Sequence, residues 1–242
     1  MKRGTLYGIG VGPGDPELIT VKGANLLARC RHVFVPKART KAGSLALSIA
    51  SRYIGGASEV HELVFPMTSQ REELSRRWGD SAREIISVLE RGEDACFLTL
   101  GDPLLYSTYI YLLREIRARV HDADMVTVPG VTAFSAAAAL SEFPIGEGKA
   151  PVVVIPAADD LKEARQALQA RGTVILMKIG KRLPDILDLL EDAGLIDHGV
   201  FVSHAGMIDQ RVETDLRALR KEGAEAGYLS IILVHTEGER PQ

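Results

Sequence analysis

Gly8-Ile9-Gly10-Val11-Gly12-Pro13-Gly14-Asp15-Pro16 comes directly off an apolar run, Leu6-Tyr7-Gly8-Ile9. Four glycines in alternate positions remove obstructing side chains, Pro13 stiffens the turn, and Asp15 is placed to bond neighbouring backbone N–H groups or to cap the next element of the chain. Such a strand-to-loop junction holds a ligand. The dinucleotide fingerprint G-x-G-x-x-G fits Gly8 and Gly10 but fails at its third glycine, where the chain has Pro13, so a nicotinamide dehydrogenase is the weakest reading. A second junction repeats the theme: Leu98-Thr99-Leu100-Gly101-Asp102-Pro103-Leu104-Leu105-Tyr106 sets Gly-Asp-Pro behind the apolar run 95–100. Two such turns at two strand ends predict one crevice.

A chain of 242 residues that is 46% hydrophobic is long enough for one large domain or two of ordinary size. Its most apolar runs, 152–155 and 231–234, are far too short to cross a bilayer, and Met1-Lys2-Arg3 leads into a strand rather than a signal segment. The expectation is a soluble cytoplasmic protein with no membrane partner. The net charge of -3 argues against a nucleic-acid or anionic-membrane binder, which normally carries a basic surplus. Cys30 and Cys96 each lie among apolar residues and read as buried free thiols. His32, His61, His121, His198 and His235 are scattered without ligand spacing, so no protein-built metal site is expected.

Short β-branched runs alternate with stretches of helical apolar period, the pattern of α/β architecture. The predicted strands are 5–10, 32–35, 95–100, 125–128, 152–155, 173–177, 199–202 and 230–234. The clearest helix is 183–193, with Leu183, Ile186, Leu187, Leu190 and Ala193 on one face, Pro184 in the first turn and Gly194 at the C-cap. The charged stretch 118–124 marks the predicted division into an N-terminal domain, 1–119, and a C-terminal domain, 120–242.

On these motifs the chain resembles the tetrapyrrole methyltransferases, S-adenosylmethionine enzymes that methylate ring intermediates of sirohaem and cobalamin synthesis. The resemblance runs through the opening Gly8 to Glu17, then Leu18-Ile19-Thr20-Val21-Lys22-Gly23-Ala24, Gly101-Asp102-Pro103, Val128-Pro129-Gly130-Val131-Thr132-Ala133 and Val202-Ser203-His204-Ala205-Gly206-Met207. Val33-Phe34-Val35-Pro36-Lys37, Ser44-Leu45-Ala46, the stretch from Leu100 to Tyr109, and Tyr228-Leu229-Ser230 are most similar to the branch that methylates C20 of precorrin-2 or cobalt-factor II. The resemblance implies two α/β domains of the class III methyltransferase type with the active site in the cleft between them, and a homodimer. It implies S-adenosylmethionine as methyl donor, S-adenosylhomocysteine as product, and a tetrapyrrole with carboxylate arms as substrate. Any cobalt would arrive inside the substrate. The same scaffold hosts methylases of uroporphyrinogen III and of other precorrin carbons, precorrin-4 among them. It also serves a modified histidine of a translation factor and ribosomal RNA ribose; a non-catalytic S-adenosylmethionine-binding module is the alternative from another class.

Methyl transfer from a sulfonium releases a neutral thioether, so positioning dominates over functional-group chemistry. The resemblance implies cofactor contacts at Pro13, Gly101, Asp102, Pro103, Leu104, Tyr106, Thr132, Ala133, Met177, Ala205 and Gly206. Taken alone, Asp102 reads equally as a ligand contact or as the fixer of its own turn, and Met177 reads as core filler. Gly12, Gly14 and Asp15 face the substrate in this reading, with the glycines letting a flat macrocycle approach backbone. Lys37 and Arg39, with Lys41 close behind, are the cations for its carboxylates. Arg71, Arg76 and Arg77 read at least as well as a solvated helix face, because Glu72, Glu73 and Asp80 intersperse them. Methylation at a meso carbon requires loss of a proton, and Tyr228 and His204 are the candidate catalytic residues.

Overall fold

The computed structural model describes residues 2–38, 43–65, 71–157, 161–222 and 224–237. They form two compact units, Met1–Thr132 and Ala133–Gln242. The first contains β1 (Leu6–Gly10), α1 (Val21–Arg29), β2 (His32–Ala38), α2 (Leu45–Ala50), β3 (Glu59–Phe65), α3 (Arg71–Glu90), β4 (Ala95–Thr99), α4 (Tyr109–Arg119) and β5 (Met125–Val128). The second contains α5 (Ala133–Leu140), β6 (Val152–Pro156), α6 (Lys162–Ala167), β7 (Thr173–Met177), α7 (Leu183–Asp192), β8 (Gly199–Ser203), β9 (Arg211–Glu213) and β10 (Ser230–His235).

In the first unit the strands pair in the order β3-β2-β4-β1-β5, every pair parallel. A parallel sheet needs cover on both faces, and the alternation of side chains supplies two cores. Val33, Val35, Cys96 and Leu98 point into a cluster with Leu26 and Leu27 of α1 and Ile49 of α2. Phe34, Ala95 and Phe97 point the other way, to Ile85 and Leu89 of α3 and Leu112 and Ile116 of α4. The connection leaving β1 therefore runs under one face and the connection leaving β4 under the other, although the two strands are neighbours. Such a reversal opens a crevice at the carboxyl ends of the two strands, where open α/β sheets take their ligands.

The second unit pairs its strands β6-β7-β10-β8-β9, with only β6 and β7 parallel. Val174, Leu176, Phe201, Ile232 and Val234 pack on Leu183, Ile186, Leu187 and Leu190 of α7, the face expected from its apolar period. Against β10 packs α5.

Three expectations are corrected. The division falls after Thr132 rather than near 119, because β5 lies beside β1 in the first sheet. β2 runs on to Ala38, so Lys37 belongs to a strand instead of lying beyond one. β3 and β9 carried no strand signal: β3 is an edge strand with only Leu63 buried, and β9 is three residues with Arg211 and Glu213 at its ends. Charge on these two edges discourages further pairing and also erases their apolar alternation.

Gly8 shows how tightly the sheet is seated. A Cβ placed there would lie 2.2 Å from Cζ of Tyr109, a fully buried ring whose hydroxyl is 3.2 Å from Thr127 Oγ1. Gly8→Ala is expected to lower stability by about 1–3 kcal/mol, the usual range for overpacking. Urea unfolding of the variant checks it; an unchanged midpoint would mean that Tyr109 has room to retreat.

Candidate functional site

The turns after β1 and β4 are joined to each other through backbone. Gly12 N donates to Gly101 O at 3.4 Å and Gly101 N to Gly12 O at 2.8 Å, with both glycines in the left-handed region at φ +82 and +66. β5 closes on the same point, since a Cβ on Gly130 would sit 2.2 Å from Gly101 O and 2.8 Å from Gly10 Cα. Glycine is required here by approach and by φ together. Asp102 then braces the junction: Oδ1 accepts from Leu104 N at 2.8 Å and Oδ2 from Gly130 N at 3.1 Å. The turn-fixing role of Asp102, left open by the sequence, is thus present. Asp15 does the same work on a smaller scale, accepting from Glu17 N at 2.8 Å to start the single turn that comes after Pro13 and Gly14.

Beyond Pro103 the β4 turn offers apolar surface. Leu104 and Tyr106 are 56% and 41% exposed, and Tyr106 sits at φ +50. Behind them Thr99 Oγ1 and Ser107 Oγ lie 2.7 Å apart in the buried layer, and Ser107 Oγ accepts from Tyr109 N at 3.1 Å, so the turn is anchored on both sides. Burial pushes the Tyr109 phenol above its ordinary range.

In the second unit, the pairing of β10 opposite both β7 and β8 brings one sheet end together. Met177 faces Ile231 and Ser203 faces Ser230 across β10. Past Ser203, His204 N donates to Leu229 O at 3.0 Å, and the His204 and Tyr228 rings lie 6.0 Å apart. The two candidate catalytic residues are therefore neighbours, with Tyr228 64% exposed. Asp209 Oδ2 lies 3.5 Å from His204 Nδ1, and Gly206 N donates to Gln210 Oε1 at 2.8 Å, ordering the Ala205-Gly206 turn. Met177 ends β7 partly buried, while Ala133 opens α5 immediately after Thr132.

Among the described residues other than glycine, those with positive φ are Tyr106, Glu142, Lys178, His204 and Leu229. All but Glu142 stand in the turns flanking β4, β7, β8 and β10. Left-handed backbone costs about 1–2 kcal/mol per non-glycine residue, and such strain collects at functional sites. No residue type in Tyr106, Lys178, His204 or Leu229 announces it, so sequence reasoning had no signal for this shared feature.

Of the substrate-side cations, Lys37 is already paired, donating to Glu62 Oε2 at 2.6 Å across β2 and β3. Arg39 and Lys41 lie outside the described residues. Cys30 and Cys96 are free and buried as expected, and the side-chain hydrogen bond with Cys30, reinforced by burial, pushes the Cys96 thiol up. Two histidines read as scattered are not: His32 Nδ1 and His61 Nε2 are 3.0 Å apart. Parallel pairing of β2 with β3, the strand without an apolar signal, brings them together.

Residues 5–220 match the family model described as Tetrapyrrole (Corrin/Porphyrin) Methylases. The cobalt-precorrin-2 C(20)-methyltransferase of Salmonella typhimurium is 34% identical over 237 residues, 98% of each chain. The precorrin-2 C(20)-methyltransferase of a Sinorhizobium species is 28% identical over 98% of each. Among solved structures, a uroporphyrin-III C-methyltransferase from Thermus thermophilus complexed with S-adenosylhomocysteine superposes with a TM-score of 0.68 and 20% identity, covering 96% of this chain and 97% of that one. Among the described residues no helix is long and apolar enough to cross a membrane.

Asp102→Ala strips the carboxylate from the part-buried Gly130 N–H and is expected to cost about 1–3 kcal/mol, whereas breaking the half-exposed Lys37–Glu62 pair with Lys37→Ala costs about 0–1 kcal/mol. Denaturant midpoints measured side by side separate the two; equal losses would remove Asp102 from its bracing role.

Proposed function

Because the chain belongs to the tetrapyrrole (corrin/porphyrin) methylases, we propose that it is an S-adenosylmethionine-dependent methyltransferase acting at C20 of precorrin-2 or of its cobalt form, in cobalamin biosynthesis. The reading carries with it a homodimer in the cytoplasm. The observation that carries it is the end-to-end identity with a cobalt-precorrin-2 C(20)-methyltransferase, 34% over 98% of both chains.

The residues of the β4 turn suit the donor. Leu104 and Tyr106 offer exposed apolar surface to an adenine, beside backbone that Asp102 already holds in place. S-adenosylmethionine supplies a methyl group on a sulfonium that departs as a neutral thioether. The chain's part is to orient the two reactants and keep water out, which is worth up to about 7–11 kcal/mol when the reacting atoms are held in line. Pro13, Gly101, Asp102, Pro103, Leu104, Tyr106 and Thr132 in the first unit, and Ala133, Met177, Ala205 and Gly206 in the second, are the proposed cofactor residues. Gly12, Gly14 and Asp15 are assigned to the substrate, and Lys37 to one of its carboxylates in exchange for Glu62.

His204 is the proposed acceptor of the meso proton. Asp209 beside Nδ1 favours the tautomer with the proton on that nitrogen and leaves the Nε2 lone pair to act as base. Tyr228 is assigned to hydrogen bonding with the ring beside it.

An anaerobic assay with methyl-labelled S-adenosylmethionine, offering precorrin-2 and cobalt-factor II in parallel, is expected to place label at C20 by NMR. Label at another carbon would move the enzyme within its family, and bound donor without transfer to either ring would overturn the C20 reading in favour of a protein or RNA substrate or a non-catalytic donor-binding module. His204→Ala is expected to lower kcat by about 10²-fold or more at unchanged donor affinity by calorimetry; unchanged turnover would take the proton from His204.

A further inference from the structure

The amino ends of β2 and β3 hold a cluster that methyl transfer does not use. The register sets His32 opposite Glu59 and Phe34 opposite His61, so the alternation of a strand places all four on the face covered by α3. His32 Nδ1 is 3.0 Å from His61 Nε2 and 3.9 Å from Glu59 Oε2, and one ligand atom from each residue falls within 4.8 Å of the others. The His61 ring stacks on Phe34 at 4.5 Å and 21°, which fixes its plane.

The outward nitrogens are equally ordered. His32 Nε2 is buried without a hydrogen-bond partner and lies 3.4 Å from Glu93 Oε2; His61 Nδ1 lies 3.7 Å from Glu84 Oε1. Two neutral imidazoles bring two protons to these four nitrogens. If one proton bridges His32 and His61, only one remains, and one outward lone pair is turned towards a carboxylate. A cation between the inward nitrogens removes the conflict: both inward lone pairs point to the ion, and both outward N–H groups donate to carboxylates. That is the carboxylate–histidine–metal arrangement by which proteins orient such ligands.

We propose that His32 Nδ1, His61 Nε2 and a carboxylate oxygen of Glu59 form a binding site for a divalent transition-metal ion of the zinc type, with Glu93 and Glu84 as positioning residues. Two imidazoles and a carboxylate suit such ions. Bonds of about 2.0–2.2 Å in tetrahedral geometry set ligand atoms about 3.3–3.5 Å apart. The two histidines are near that spacing, and a small rotation of Glu59, 53% exposed, closes the third side. Its other oxygen is occupied by Arg31 at 3.1 Å, and Arg91 lies 2.8 Å from Glu93. Three carboxylates against two guanidinium groups leave the cluster fit for a cation. A water would complete the fourth position.

Calorimetry of the chelator-stripped full chain with Zn2+ is expected to give one ion per chain, removable by EDTA, with a melting temperature that rises with Zn2+ and not with Mg2+. Cobalt(II) should give visible bands of a tetrahedral site. His61→Ala should lower affinity at least tenfold and abolish those bands, and Glu93→Gln should lower it about 10–100-fold. Should His61→Ala fail to fold, Glu59→Gln at its half-exposed position carries the same test. No saturable binding, or equal affinity in the folded variants, would overturn the site and leave a hydrogen-bonded histidine pair.

Discussion

Three strand ends in the first unit meet through backbone alone, and everything proposed for its carboxyl edge rests on that meeting. Gly12 and Gly101 exchange hydrogen bonds, Gly130 closes from the third side, and a single methyl group at Gly10 or Gly130 would collide with Gly101 O. Asp102 converts this contact into a frame by using both carboxylate oxygens on backbone N–H groups of two different turns. A frame formed in the free chain has already met its ordering entropy, so a ligand entering it does not have to.

The alternating glycines looked like one motif, and the first three of the four turn out to serve three different ends. Gly8 makes room for the Tyr109 ring, Gly10 lets β5 approach, and Gly12 supplies left-handed backbone. Only the last two belong to the crevice. The spacing itself was legible because it matches the period of a strand, while the division of labour depends on α4, whose first residue is Tyr109.

What could be read from the chain was mostly what burial writes into it. β1, β4, β7, β8 and β10 are buried along most of their length and showed as apolar runs; α7 showed as an apolar face. β3 was invisible because its charged residues are those of an edge, and with it went the means of seeing His32 beside His61, since no sequence spacing expresses a register between strands. The same holds for His204 and Tyr228. Each was singled out separately, but their proximity comes from β10 pairing beside β8 and from the bond of His204 N to Leu229 O. The domain division was misjudged at a charged stretch because charge marks solvent, whereas strand pairing decides which unit a segment joins.

The β4 turn separates its framework from its display. Main-chain atoms and Asp102 hold it, while Leu104 and Tyr106 project from it into solvent. The surface offered to a ligand is thus separate from the bonds that hold the turn, so a change at Leu104 can retune the grip on a donor while both Asp102 contacts stay in place. The junction beneath would stay chemically conservative for a different reason, because three backbones crowd it too closely to admit a side chain.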